Sequence, residues 1–172
     1  IAKALEPCSD LFLIDTWFGE EPVEGFIGIT GETADREMSQ TLVSECNIPV
    51  ILAGGLSPEN VYDAIMGVLP AGADSCTRTN RVDETGKPVR FQKDFEKVRR
   101  FVEEIRRAAS DILAKTAQLE ERLETLKAEL RDRELALPAH SVRPHQLLAI
   151  ETLEDEIEET EKALNRLART MG

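Results

Sequence analysis

Apolar residues fall into short unbroken runs over the first part of the chain and into helical spacing over the last part. Leu11-Phe12-Leu13-Ile14 runs into Asp15, and Pro49-Val50-Ile51-Leu52-Ala53 runs into Gly54-Gly55. A shorter run lies at Gly72-Ala73-Asp74-Ser75-Cys76. Continuous apolar runs of this length predict strands buried on both faces, as in parallel sheets. Between them lie segments with helical patterning. One spans about Thr33 to Cys46. Another opens at Ser57-Pro58-Glu59-Asn60, with Ser57 as N-cap and Pro58 at the first helical position. A third starts near Asp94 and carries Phe95, Val98, Phe101, Val102 and Ile105 at helical spacing.

A strand followed by a helix, three times over, implies parallel pairing with right-handed crossovers. Three such units cannot close a barrel, which takes about 250 residues. The first residue is Ile1, not Met, so the reading expects a truncated chain with five further units upstream. The segment Thr79 to Lys93 is read as a long loop.

From Asp94 the helical pattern continues to about Ala136. Ile112, Thr116, Leu119, Leu123, Leu126 and Leu130 then follow the spacing of a coiled-coil seam. Pro138 and Pro144 bracket a turn, expected over about 137–145. Ile150, Leu153, Ile157, Thr160, Leu164, Leu167 and Met171 repeat the seam beyond it. So short a break favours an antiparallel αα-hairpin. The expected organisation is therefore an α/β region, residues 1–108, followed by an all-α antiparallel coiled-coil hairpin, residues 109–172.

Composition agrees with that division. Nine of the ten glycines and all eight aromatic residues precede residue 110. The net charge of −12 is shared by both parts, with 19 acids against 12 bases up to residue 109 and 14 against 9 beyond it. Such a charge argues against nucleic acid as a partner. No apolar run is long enough for a transmembrane helix. Cys8, Cys46 and Cys76 form no paired motif, which suits reduced thiols in the cytoplasm. His140 and His145 flank the expected turn; a polar loop is favoured there over a metal site.

Three features sit where strands end. Asp15 and Thr16 close the first run, and a carboxylate there serves either as a general acid or base or as a turn cap. Gly25 to Thr33 places spaced glycines before a helix, either to let backbone amides approach an anion or as a plain surface loop. Ala53-Gly54-Gly55-Leu56-Ser57-Pro58-Glu59-Asn60-Val61 is more specific. It is either a phosphate cradle or a tight turn that needs positive φ, and the first reading is favoured.

At these residues the sequence resembles the phosphoribosylanthranilate isomerase family. Pro49 to Val61, "PVILAGGLSPENV", is similar to that family's seventh strand and following loop. "LFLIDT", Leu11 to Thr16, resembles its sixth strand, which ends in a catalytic aspartate. "GITGETAD", Gly28 to Asp35, is similar to the Gly-Thr-Gly-Lys-Thr-Phe-Asp segment that follows it. "AGADSCTR", Ala71 to Arg78, stands where the eighth strand belongs. The resemblance covers roughly residues 8–107. It implies the last three βα units of a (β/α)₈ TIM barrel.

It also implies an Amadori rearrangement of an aminoaldose phosphate in tryptophan biosynthesis. A general acid protonates the ribose ring oxygen, a general base removes the C2′ proton, and no metal or organic cofactor takes part. Asp15 matches the acid. Gly28, Gly31, Gly54, Gly55, Asp74, Ser75 and Arg78 match positions around substrate and phosphate. The family's catalytic cysteine belongs to its first strand, which has no counterpart here, and Cys8 precedes the sixth-strand match. Isomerase activity is thus expected only where the rest of the barrel is present. The family's Ser-Ser-Gly after the eighth strand is replaced by Ser75-Cys76-Thr77-Arg78. Arg81, Lys87, Arg90 and Lys93 in the following segment are expected either to replace backbone amides as phosphate ligands or to solvate a loop. The alternative to an isomerase is a non-catalytic sugar-phosphate-binding barrel whose hairpin recruits a second copy or a protein partner.

Overall fold

The computed structural model describes residues 1–15, 35–138 and 143–168. These divide into two compact units, Ile1–Asp111 and Ile112–Ala168. The first unit begins with a short helix, α1 (Ala2–Leu5), and a 3₁₀ turn at Glu6–Cys8. Strand β1 (Phe12–Ile14), helix α2 (Arg36–Glu45), strand β2 (Val50–Leu52), helix α3 (Val61–Val68) and strand β3 (Gly72–Ala73) follow. A 3₁₀ turn at Thr77–Thr79 leads into β4 (Asn80–Val82), β5 (Pro88–Lys93) and α4 (Phe95–Leu135).

The first three strands form one parallel sheet with β2 in the centre. Phe12, Leu13 and Ile14 pair with Val50, Ile51 and Leu52, while Ile51 and Leu52 pair with Gly72 and Ala73. The ladder continues past the strand ends. The Ala53 amide donates to the Ile14 carbonyl (2.7 Å) and the Asp74 amide to the Leu52 carbonyl (2.8 Å). Ile14, Leu52 and Ala73 stand at one level of the sheet, so Asp15, Ala53 and Asp74 follow at a common edge, with Gly54 and Ser75 next along the chain.

Burial explains why β2 is central. Val50, Leu52 and Ala53 are buried, together with Leu56, Val61, Ile65 and Val68. Leu52 shares a pocket wall with Ser39 of α2 and with Ala64 and Val68 of α3, so this face of the sheet packs on helices. The opposite face differs from the sequence expectation of burial on both sides. Leu13 is 53% exposed, and its register partner Ile51 is half-buried. Side chains alternate between faces along a strand, and no described residue covers Leu13 fully.

Helix α2 starts where its chemistry dictates: the Asp35 carboxylate accepts from the Met38 amide (3.0 Å). Helix α3 starts later than its sequence suggests. Ser57, Pro58, Glu59 and Asn60 form hydrogen-bonded turns, with both Asn60 and Val61 amides donating to the Ser57 carbonyl, and Asn60 stands at the N-cap position. Helix α4 is capped by Asp94, whose carboxylate accepts from the Glu96 and Lys97 amides. Phe101 and Ala108 enter the core, whereas Phe95 and Val102 are exposed. Tyr62 donates from its hydroxyl to the Asp111 carboxylate (2.7 Å), and the Arg107 guanidinium lies 3.8 Å over its ring.

The segment Thr79 to Lys93, expected as a loop, is instead an antiparallel hairpin of β4 and β5, with Asn80 opposite Lys93 and Val82 opposite Pro88. Its turn is closed by Asp83, whose carboxylate accepts from the Thr85 and Lys87 amides. The sequence lacks a clean alternating pattern here because the pairing shifts register between Asn80 and Val82.

In the second unit, the remainder of α4 is joined by α5 (Pro144–Ala168). Ile112 and Leu126 of α4 are buried, and Thr116, Leu119, Leu123 and Leu130 are half-buried. On α5, Leu153 and Thr160 are buried, and Ile150, Ile157, Leu164 and Leu167 are half-buried. The seam threonines satisfy themselves within their own helices, Thr116 on the Ile112 carbonyl and Thr160 on the Glu156 carbonyl. Ion pairs Arg122–Glu156 and Lys127–Glu161, each 2.8 Å, link the two helices. Met171 and His140 lie outside the described residues, and His145 is exposed. No helix among the described residues is long and apolar enough to cross a membrane.

Candidate functional site

Asp15, Gly54, Gly55, Asp74, Ser75 and Arg78 line one pocket with Leu56, Cys76 and Thr77. The pocket opens at the carboxyl ends of β1, β2 and β3, where parallel sheets leave strand ends unobstructed. Six of the eight residues singled out from the sequence thus come together. Gly28, Gly31 and Thr16 lie outside the described residues. Gly54 is buried and Asp15 half-buried, while Asp74 and Arg78 are exposed.

The diglycine turn has a conformational reason. Gly54 has φ 85° and Gly55 φ 57°, both in the left-handed region that costs a side chain about 1–2 kcal/mol. Asn60 fixes this turn. Its Oδ1 accepts from the Ser57 amide (2.7 Å), and its Nδ2 donates to the Gly55 carbonyl (3.1 Å). The Ser75 hydroxyl donates to the Leu56 carbonyl (2.6 Å), tying the loop after β3 to the loop after β2.

Lys93 braces the same loop from outside the pocket. Its ammonium donates to the carbonyls of Ser75 (3.2 Å) and Cys76 (2.6 Å) and to the Thr79 hydroxyl (2.8 Å). Lys93 is therefore engaged with the loop rather than extended toward a ligand. Arg90 lies against the Phe91 ring at 6.0 Å, and Arg81 and Lys87 are exposed. None of these four lines the pocket with Arg78.

Asn60 is not singled out in the sequence, although it carries a local signal, since an asparagine three residues after Ser57 can close a turn on its amide. Lys93 is expected from the sequence as a phosphate ligand or a loop solvator; its bracing of the Ser75 and Cys76 carbonyls carries no signal there, because it depends on the β4–β5 pairing. Chemically, the pocket offers two carboxylates able to move a proton, one guanidinium, and backbone amides suited to an anion.

The family model described as "N-(5'phosphoribosyl)anthranilate (PRA) isomerase" matches residues 2–104, more than half of the chain. The chain is similar to the N-(5'-phosphoribosyl)anthranilate isomerase of Methanosarcina acetivorans, 38% identical over 55% of this chain and 36% of that protein. It is 41% identical to the Haloferax volcanii enzyme of the same name, over 59% of this chain and 40% of that protein. The Xylella fastidiosa enzyme is 39% identical over 47% of this chain and 32% of its own length. The chain thus spans little more than a third of the curated relatives it matches. No solved structure gives a significant match.

Proposed function

The chain belongs to the N-(5'-phosphoribosyl)anthranilate isomerase family, and from that premise we propose that it supplies the acid and phosphate-binding side of an active site for an aminoaldose–aminoketose rearrangement in tryptophan biosynthesis. In this reading β1, β2 and β3 are the sixth, seventh and eighth strands of a (β/α)₈ barrel. Asp15 is the general acid that protonates the ribose ring oxygen. Gly54 and Gly55 offer amides to the substrate phosphate, Ser75 and Arg78 border it, and Asp74 faces the sugar. The observation that carries the reading is the convergence of Asp15, Gly54, Gly55, Asp74, Ser75 and Arg78 on one pocket at the strand ends. The partner base lies in the part of the family's barrel that this chain does not match.

The reading extends to the rest of the chain. Residues 109–172 are an antiparallel coiled-coil hairpin, supported by the protected seam and the Arg122–Glu156 and Lys127–Glu161 pairs. A seam of two helices has a thin core, so a second copy or a protein partner completes it. Three free cysteines fit a cytoplasmic setting.

The test has two parts. Calorimetry of this chain with ribose 5-phosphate is expected to detect binding; no binding would end the reading. Turnover of phosphoribosylanthranilate by the protein that contains this chain is expected to fall at least about a hundredfold in Asp15→Asn, with phosphate affinity little changed.

A further inference from the structure

Resting on that reading of the pocket, we infer that Lys93 is a positioning residue for its anion end: it turns two peptide units of the loop after β3 so that their amides face a phosphate monoester.

An ammonium has three donors and no acceptor. All three find partners on one short segment, the carbonyls of Ser75 and Cys76 and the hydroxyl of Thr79. A trans peptide unit is planar, with its carbonyl and its N–H on opposite sides. The Ser75 carbonyl shares a peptide unit with the Cys76 amide, and the Cys76 carbonyl shares one with the Thr77 amide. Drawing both carbonyls toward Lys93 therefore turns both amides away from it. Cys76 and Thr77 line the pocket. Among the described residues, neither of these two amides donates a backbone hydrogen bond.

Two successive amides directed to one side form an anion-binding concavity, and the cation behind them raises its potential further. The loop has no glycine between Asp74 and Thr79 to adopt this shape freely. Side-chain bracing takes the place of glycine. The Thr79 hydroxyl strengthens the arrangement by donating to the Cys76 carbonyl (3.1 Å) while accepting from Lys93. Lys93 itself is half-buried, which limits the water available to compete for these carbonyls. The ligand class that fits is a phosphate monoester dianion, for which the probes are ribose 5-phosphate and inorganic phosphate.

The experiment uses the whole chain with Lys93→Met, which keeps the apolar stem, and Lys93→Arg, which keeps the charge. The dissociation constant for ribose 5-phosphate is measured by calorimetry, and the Cys76 and Thr77 amide resonances are followed by NMR in the parent during the same titration. Lys93→Met is expected to weaken binding at least tenfold, Lys93→Arg to recover most of it, and the two parent amides to shift downfield on saturation. Equal affinity in Lys93→Met and parent would overturn the inference alone. So would parent amides that do not move, a result independent of whether either variant folds. A parent that binds neither probe would overturn both this inference and the reading of the pocket.

Discussion

Replacing Asn60 by alanine removes the two bonds that hold the diglycine turn. The side chain accepts from the Ser57 amide at 2.7 Å and donates to the Gly55 carbonyl at 3.1 Å. Each is a neutral bond at a half-buried position, worth about 1 kcal/mol net. The sum is about 2 kcal/mol, or roughly a thirtyfold shift in the folding equilibrium. The rest of the turn does not compensate, because the Ser57 carbonyl and hydroxyl are already engaged with the Asn60, Val61 and Glu59 amides. Urea unfolding followed by the Ile65 methyl resonances reports on this unit, since Ile65 is buried in α3. Asn60→Asp separates the two bonds, because a carboxylate still accepts from Ser57 and cannot donate to Gly55. It is expected to lose at least about 1 kcal/mol. A loss below about 0.5 kcal/mol in Asn60→Ala would show that the turn holds without its asparagine and would refute the reasoning.

Other predictions follow from single features. Gly55→Ala forces a side chain into φ 57° and should cost about 1–2 kcal/mol in urea unfolding, with weaker phosphate binding. In native protein a thiol reagent should modify Cys8 and Cys76 rapidly and Cys46 only on unfolding, because burial, with Glu6 beside it, pushes the Cys46 thiol up. The Ser57 hydroxyl, together with the Arg100 guanidinium 3.1 Å away, holds the Glu59 carboxyl below its ordinary range. A lowered folded-state pKa stabilises the fold above the ordinary carboxylate range, and the benefit is lost as pH falls through the lowered value. Unfolding curves of parent and Glu59→Gln should therefore differ at neutral pH and converge in acid. The gap should be small, since the pair is exposed.

How much of this was legible in the sequence depended on whether the signal was local. The runs Leu11–Ile14, Pro49–Ala53 and Gly72–Cys76 declared strands, the last of which pairs only over Gly72–Ala73, and the residues at their carboxyl ends met around one pocket because parallel strands end on the same side. The helix expected from near Asp94 does start there, and the one expected from about Thr33 is described from Arg36; the caps on Asp35 and Asp94 are local signals that the apolar patterning does not use. Ser57 is a local signal that misled: it looks like a cap, yet its carbonyl and hydroxyl close a turn and the helix waits for Val61. Leu13 misled differently, since an apolar run does not tell which alternate side chain has a partner. The β4–β5 hairpin was hidden by its register shift. With it went the placement of Lys93, which rests on a pairing rather than on spacing.

Because Lys93 grips the Ser75 and Cys76 carbonyls from the rear, the wall that faces the pocket is built of main chain whose shape is set elsewhere. The side chains of Cys76 and Thr77 are then spectators to that shape. Selection acting on the pocket rim is free to rewrite them, trading bulk or polarity, while the brace behind stays fixed. Substrate preference and anion capture are separately adjustable in such a loop, and variation at these two positions is where divergence among relatives should accumulate first.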